Sequence, residues 1–269
     1  MGSVAEVDVA APVAALPAPP AVVEVSGLRV GYRRNAKVTL SGIDLTVAAG
    51  ETVALIGTNG AGKSTLLRCL VRLIEPSAGT IRLGDVDVTA ATRPALRAVR
   101  REVGFVFQRF HLVSRLTAFD NVVHGAMGRR GTRCAWPTLA PVEVRDEAMQ
   151  ALQRVGLDEF AGRRVESLSG GQQQRVAIAR MLMQRPTLIL ADEPVASLDP
   201  ASAVVAMDLL RSIAVENGVT VIMAMHHVDL ALRYSDRIIG LRHGTIELDR
   251  PSRLCDADRL NGVYATDAR

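Results

Sequence analysis

The sequence holds almost no lysine. Of its 269 residues only Lys37 and Lys63 carry an ammonium, and arginine supplies the rest of the basic charge. The net charge of +4 is small, whereas nucleic-acid binders concentrate cation on one face, so no nucleic-acid partner is expected. Cysteine is also scarce. Cys69, Cys134 and Cys255 are odd in number and far apart, with no CxxC pair or Cys/His cluster. This excludes a disulfide framework and a thiolate zinc site, and fits a reducing cytosol. No stretch reaches the roughly 18 to 20 uncharged apolar residues that a membrane span needs. The apolar N-terminal stretch has no basic flank, carries Glu6 and Asp8, and is broken by Pro12, Pro17, Pro19 and Pro20. It therefore reads as neither signal peptide nor helix. Glu6 also stands where N-myristoylation of Gly2 would want Ser or Thr. Residues 1–21 are expected to form a disordered tail.

What is present is an ordinary globular composition, 48% hydrophobic and 22% charged. Val22 to Val25, Leu28 to Val30 and Leu40 to Val47 alternate enough to predict antiparallel strands punctuated by Gly31 and Gly50. Thr52 to Ile56 is a continuous apolar run, as expected of a strand buried on both faces. Val103 to Phe107, Thr187 to Ala191 and Val219 to Met225 read the same way. A helical pattern runs from Lys63 to Ile74 and stops before Pro76. Strands alternating with helices predict an α/β fold with a largely parallel sheet. Between Gln108 and Pro186 the pattern turns mostly helical, giving an expected inserted subdomain over about 109–185. It contains an irregular stretch, Gly125 to Pro141, with several arginines and the only tryptophan, Trp136. A hairpin around Gly244 and a short polar helix over 251–269 complete the expected layout.

Gly57-Thr58-Asn59-Gly60-Ala61-Gly62-Lys63-Ser64-Thr65 fits GxxxxGK[ST], directly after a predicted strand and before a predicted helix. Glycines let backbone N–H groups turn inward around phosphate oxygens, and the helix N-terminus adds partial positive charge. In such a loop Lys63 reaches the β- and γ-phosphates of a nucleotide, and the Ser64 hydroxyl can ligate Mg²⁺. Asp192 and Glu193 close the apolar run from Leu188. Charge is costly inside a strand, so acids at its carboxyl end sit where a parallel sheet presents ligands. Asp192 is expected to hold Mg²⁺, and Glu193, pointing the other way along the pleat, to polarise the attacking water. Tyr32, flanked by Gly31 and Arg33, is either a stacking platform for an adenine ring or a hairpin tyrosine.

Leu168-Ser169-Gly170-Gly171-Gln172 resembles the signature of the ABC transporter ATPases, and the other family elements follow in order. Gln108 resembles the Q-loop glutamine, Ser197-Leu198-Asp199-Pro200 the D-loop, His226 the switch histidine, and Tyr32 the aromatic A-loop residue. His226 is preferred over the adjacent His227 because its downstream spacing fits the family better. The resemblance spans about Val22 to Arg250. It implies a P-loop NTPase fold of the ABC type, with a mixed β core sheet, an antiparallel β subdomain and an inserted α-helical subdomain. It also implies ATP and Mg²⁺ as ligands, with Ser64, Gln108 and Asp192 around the metal. Glu193 and His226 would be catalytic. Ser169, Gly170, Gly171, Gln172 and Asp199 would bind ATP in trans, from a second copy in a head-to-tail dimer. Two transmembrane permease subunits and, indirectly, an external binding protein would be partners at the cytoplasmic face of the membrane. LADEPVASLDP at Leu190 to Pro200, and Val228 to Arg242, look like the phosphonate importer ATPases. Thr58-Asn59 and His227 depart from that pattern without touching the chemistry.

Overall fold

The apolar runs become strands whose side chains alternate between two cores. In the computed structural model, which describes residues 21–31, 38–256 and 260, β1 (Ala21–Gly31) and β2 (Val38–Ala48) form an antiparallel pair. Then come β3 (Thr52–Ile56), α1 (Lys63–Leu70), β4 (Ala78–Leu83), the short β5 (Val86–Asp87), α2 (Arg93–Glu102) and β6 (Val103–Val106). A helical stretch follows: α3 (Ala118–His124), α4 (Met127–Arg130), α5 (Val142–Arg154) and α6 (Gly170–Leu182). The chain then returns through β7 (Leu188–Asp192), α7 (Pro200–Asn217), β8 (Thr220–Ala224), α8 (Val228–Tyr234), β9 (Arg237–Arg242) and β10 (Thr245–Pro251). The expected tail, Tyr32 and most of the expected C-terminal helix lie outside the described residues.

Two sheets result. The larger has the order β10-β9-β3-β8-β7-β6, parallel throughout except for the β9–β10 hairpin. The smaller, β2-β1-β4-β5, is antiparallel. This is the expected mixed core sheet with its antiparallel companion. Val53 and Leu55 pack into one apolar cluster with β1, β2 and α1. Ala54 and Ile56 face the other, built from α3, α5, α6 and α7. A period of two in a strand covered on both sides gives this division. The helices between β6 and β7 thus share one continuous core with a face of the sheet.

The structure departs from the sequence reading at several points. The two short strands expected before Gly31 are one strand, with a register shift between Val25 and Leu28 where Gly27 adopts φ of 57°. A bulge lets one strand change its pairing without ending. α1 stops at Leu70 rather than Ile74. Arg72 turns to φ of 51°, and its guanidinium donates to the carbonyls of Val88, Thr89 and Ala91 at 2.8–3.3 Å. That anchor, distant in sequence, overrides local helix propensity. β4, β5 and α2 fill a stretch whose alternation does not mark them. The arginine-bearing segment 125–141 is ordered as α4 and two 3-10 turns, with Cys134 and Ala140 buried in the main core.

Gly125 sets the approach of α3 to α6. A Cβ there would fall on the Arg180 carbonyl oxygen and 2.9 Å from the Cβ of Met183. Both are held by packing and cannot swing away. Gly125→Ala is therefore expected to lower stability by about 1–3 kcal/mol through overpacking, read as a lower urea midpoint with an unchanged slope.

Candidate functional site

The phosphate loop is braced from two sides. Gly57 has φ of 143°, and a Cβ on it would strike the backbone carbonyl of Leu241 in β9. Gly62, at φ of 110°, lies against the other wall, where a Cβ would be 2.6 Å from Leu40 Cδ2 and 2.9 Å from the Thr39 carbonyl. Glycine is required at both positions by conformation and by space. The β9–β10 turn completes the cradle: the Gly244 amide donates to the Ala61 carbonyl at 3.2 Å, and the Ser41 amide to the Gly244 carbonyl at 2.8 Å.

Inside the loop the Lys63 ammonium donates to the carbonyls of Gly57 at 2.7 Å and Thr58 at 3.1 Å. Burial lowers its pKa, while Glu193 and Asp192 pull in the opposite direction. Ser64, at the start of α1, donates its hydroxyl to Asp192 Oδ1 at 2.6 Å. The Arg68 guanidinium takes Asp192 Oδ2 at 3.0 Å. Asp192 is almost fully buried, so its charge depends on these two partners. Ser64 and Arg68 stand one turn apart on α1, a spacing that puts both on one face. That i, i+4 relation was the available signal for Arg68, which the sequence reading omits.

Glu193 does not follow the pleat as the sequence reading expected. β7 ends at Asp192, and Glu193 turns to φ of 51°, its amide making one last bond to the Ala224 carbonyl at 3.1 Å. A left-handed glutamate is strained. Its effect here is to send the carboxylate toward β8, where Glu193 Oε1 meets His226 Nε2 in a short hydrogen bond. His226 lies beyond the end of β8, so strand alternation does not choose between the two histidines either. His226 is the one in contact with Glu193, while His227 is exposed at the start of α8. Lys63, Ser64, Asp192, Glu193 and His226 thus converge at the carboxyl ends of β3, β7 and β8.

The other predicted residues stand apart from this cluster. Gln108 is exposed two residues past β6, and among the described residues it makes no hydrogen bond with Ser64 or Asp192. Ser169 caps α6 in a reciprocal box: its hydroxyl accepts from the Gln172 amide at 3.3 Å, and the Gln172 side chain accepts from the Ser169 amide at 2.9 Å. Ser169 and Gly170 are exposed. Gly171 presses on the start of α7, where a Cβ would lie 2.7 Å from the Ser202 hydroxyl. Asp199 caps α7 by accepting from the Ser202 amide at 3.0 Å, and bonding to Ser202 lowers its pKa. At the far end of α6, Arg180 donates to the carbonyls of His111 at 2.6 Å and Phe110 at 2.9 Å. One helix therefore carries the exposed signature and grips the loop that follows Gln108.

Among the described residues no group of three or more His, Cys, Asp or Glu side chains could hold a metal. No described helix is long and apolar enough to cross a membrane.

Residues 40–196 match the ABC transporter family model. The "Phosphonates import ATP-binding protein PhnC" of Nocardia farcinica is 48% identical over 235 residues, 87% of this chain and 88% of that protein. The "Phosphate-import ATP-binding protein PhnC" of Mycolicibacterium smegmatis is 48% identical over 84% of this chain and 86% of its own length. Among solved structures, the dimeric ATP-binding cassette MJ0796, in a post-hydrolysis state bound to ADP and phosphate, superposes with a TM-score of 0.76. It is 33% identical, and the match covers 86% of this chain and 99% of that one. With the phosphate loop, the buried aspartate, the glutamate–histidine pair and the signature helix all in place, this chain belongs to the ABC transporter family as one of its ATP-binding, ATP-hydrolysing subunits.

Proposed function

We propose that this subunit powers uptake of a phosphonate or a related phosphorus oxyanion, working as a head-to-tail dimer on a pair of permease subunits at the cytoplasmic face of the membrane. The observation that carries the catalytic part is the meeting of Glu193 with His226 beside the Ser64–Asp192 pair. The cargo assignment rests on the relatives, whose names specify phosphonates and phosphate import.

The chain's own groups divide the chemistry. The loop amides from Gly57 to Thr65 and the N-terminus of α1 receive the nucleotide phosphates. Lys63, held now by the Gly57 and Thr58 carbonyls, has only to swing from these neutral acceptors to phosphate oxygens. Ser64 and Asp192 fit Mg²⁺, which favours hard oxygen ligands and takes few of them from protein when phosphates supply the rest. Mg²⁺ bound there would neutralise charge gathering on the β- and γ-phosphates. Gln108 would join this shell when its loop closes. Glu193 would accept a hydrogen bond from the attacking water, and His226 holds the carboxylate in place. Tyr32 would stack on the adenine ring.

The exposed signature supplies the reason for a dimer. Gly170 and Gly171 open α6 with first-turn amides, with Ser169 and Gln172 closing the capping box and Asp199 standing nearby at the start of α7. A second copy's phosphate loop, related by a twofold axis, would place its nucleotide against them, completing both sites at once. An external binding protein would deliver the cargo to the permease pair.

Glu193→Gln is expected to abolish turnover while ATP stays bound, leaving a stable dimer in size-exclusion chromatography. Hydrolysis at the wild-type rate would remove Glu193 from the role of base. Lys63→Ala is expected to weaken ATP binding by at least about tenfold, the loss of a buried charge-assisted contact, as measured by nucleotide titration. The cargo is tested on the partner binding protein, by comparing its affinities for an alkylphosphonate, phosphite and phosphate. Tight binding of none of the three would reject a phosphorus oxyanion.

A further inference from the structure

Lys63, Asn121, Asp192, Thr220 and Ser252 are buried, and each has a hydrogen-bond partner. Gln174 is fully buried in α6 and has none: neither its Oε1 nor its Nε2 meets a partner among the described residues. A buried amide left unpaired costs stability, and an apolar side chain of the same shape would avoid that cost. Such a group in a folded chain points to a second state in which it is satisfied.

Gln174 comes three residues after Gly171 and four before Ile178, so the three share one face of α6. Gly171 presses on Ser202 in α7, and Ile178 packs in the core that holds Ala203 and Ala206. Helical side chains lean toward the N-terminus, which aims the Gln174 amide at the seam between α6 and the loop 193–199. That seam is held by packing. A Cβ on Gly170 would lie 3.7 Å from Leu198 Cδ2 and 4.0 Å from the Ser197 carbonyl oxygen. Among the described residues no hydrogen bond joins α6 to this loop or to α7. The loop holds itself by turn bonds, from the Ala196 amide to the Glu193 carbonyl at 3.3 Å and from the Leu198 amide to the Val195 carbonyl at 3.1 Å. The amides of Val195 and Ser197 have no partner among the described residues. A buried donor–acceptor group thus lies beside a loop with unused backbone groups.

We propose that Gln174 is a positioning residue of the ATP-driven dimer. When a second copy closes on the signature, the Gln174 amide bonds the backbone of the loop 193–199 and fixes it to α6. This role rests on the head-to-tail dimer proposed above. The loop joins Glu193, the expected base, to Asp199, expected to reach the other copy's nucleotide, so fixing it sets both. A primary amide suits the task because one side chain can donate and accept at once. Before closure the unpaired amide raises the energy of the open form. Satisfying it on closure favours the dimer by that difference. An apolar side chain of similar length would keep the packing and lose the gain.

Gln174→Met keeps the length of the side chain and removes both polar atoms. In the full chain without nucleotide, its urea midpoint is expected to equal or exceed that of the parent. In the Glu193→Gln background, ATP should still bind, but self-association should weaken by about tenfold, read by size-exclusion chromatography across protein concentrations. With Glu193 intact, Gln174→Met should lower kcat by a similar factor and leave the nucleotide affinity of the dilute monomer unchanged. A glutamine that only supports the fold would lose stability and activity together. A lowered urea midpoint, or dimerisation and turnover at the parent level, would each overturn the assignment. If Glu193→Gln alone forms no dimer with ATP, the dimer reading falls and takes this role with it. If it dimerises and Gln174→Met changes nothing, only the role of Gln174 falls.

Discussion

A buried carboxylate at the end of a buried strand governs this structure. Asp192 closes β7 with almost no access to water, and an isolated charge there would be untenable. Its two oxygens are taken by Ser64 and Arg68, both on α1. The same helix begins at the phosphate loop. A single carboxylate therefore fixes the loop's helix against the strand that leads into Glu193, and the sheet order β3-β8-β7 brings Lys63, Glu193 and His226 around it.

The second organising part is α6. It is thirteen residues long, with Ser169 at its cap and Arg180 near its end. Arg180 is largely desolvated, and burial lowers its pKa, yet its guanidinium bonds to the backbone of the loop after Gln108. The helix thus ties that loop to the exposed signature at its other end. The signature itself leans on the start of α7 through Gly171 and Ser202, next to the cap formed by Asp199. The loop after Gln108, the signature and the start of α7 are joined by backbone bonds and close packing.

Where the sequence was legible, a local rule sufficed. The strand–loop–helix around Lys63 follows from spacing and glycine chemistry, and the strand buried on both faces at Thr52–Ile56 from its unbroken apolar run. Where the reading fell short, a partner far along the chain had intervened. α1 ends early because Arg72 reaches the carbonyls of Val88 to Ala91. Glu193 leaves the pleat because its last ladder bond and its histidine partner both lie on the β8 side. Arg68 was visible in principle, one turn from Ser64. The carbonyl of Leu241, which excludes any side chain at Gly57, had no signal near the loop at all.

The sequence by itself determined the chemical parts: which residues can cradle phosphate, which acids end a buried strand, and which glycines and serine open a helix. These are matters of residue type over short spacing, where backbone geometry leaves few choices. Only the tertiary structure decided which parts meet. It put His226 rather than His227 against Glu193, gave Asp192 the Arg68 guanidinium, and left Ser169 and Gly170 exposed at the head of α6. It also turned an irregular arginine-bearing stretch into an anchored turn that shows Trp136 to solvent. Those outcomes depend on strand order and on which backbone carbonyls face inward, and these are properties of the packed chain that no local pattern encodes.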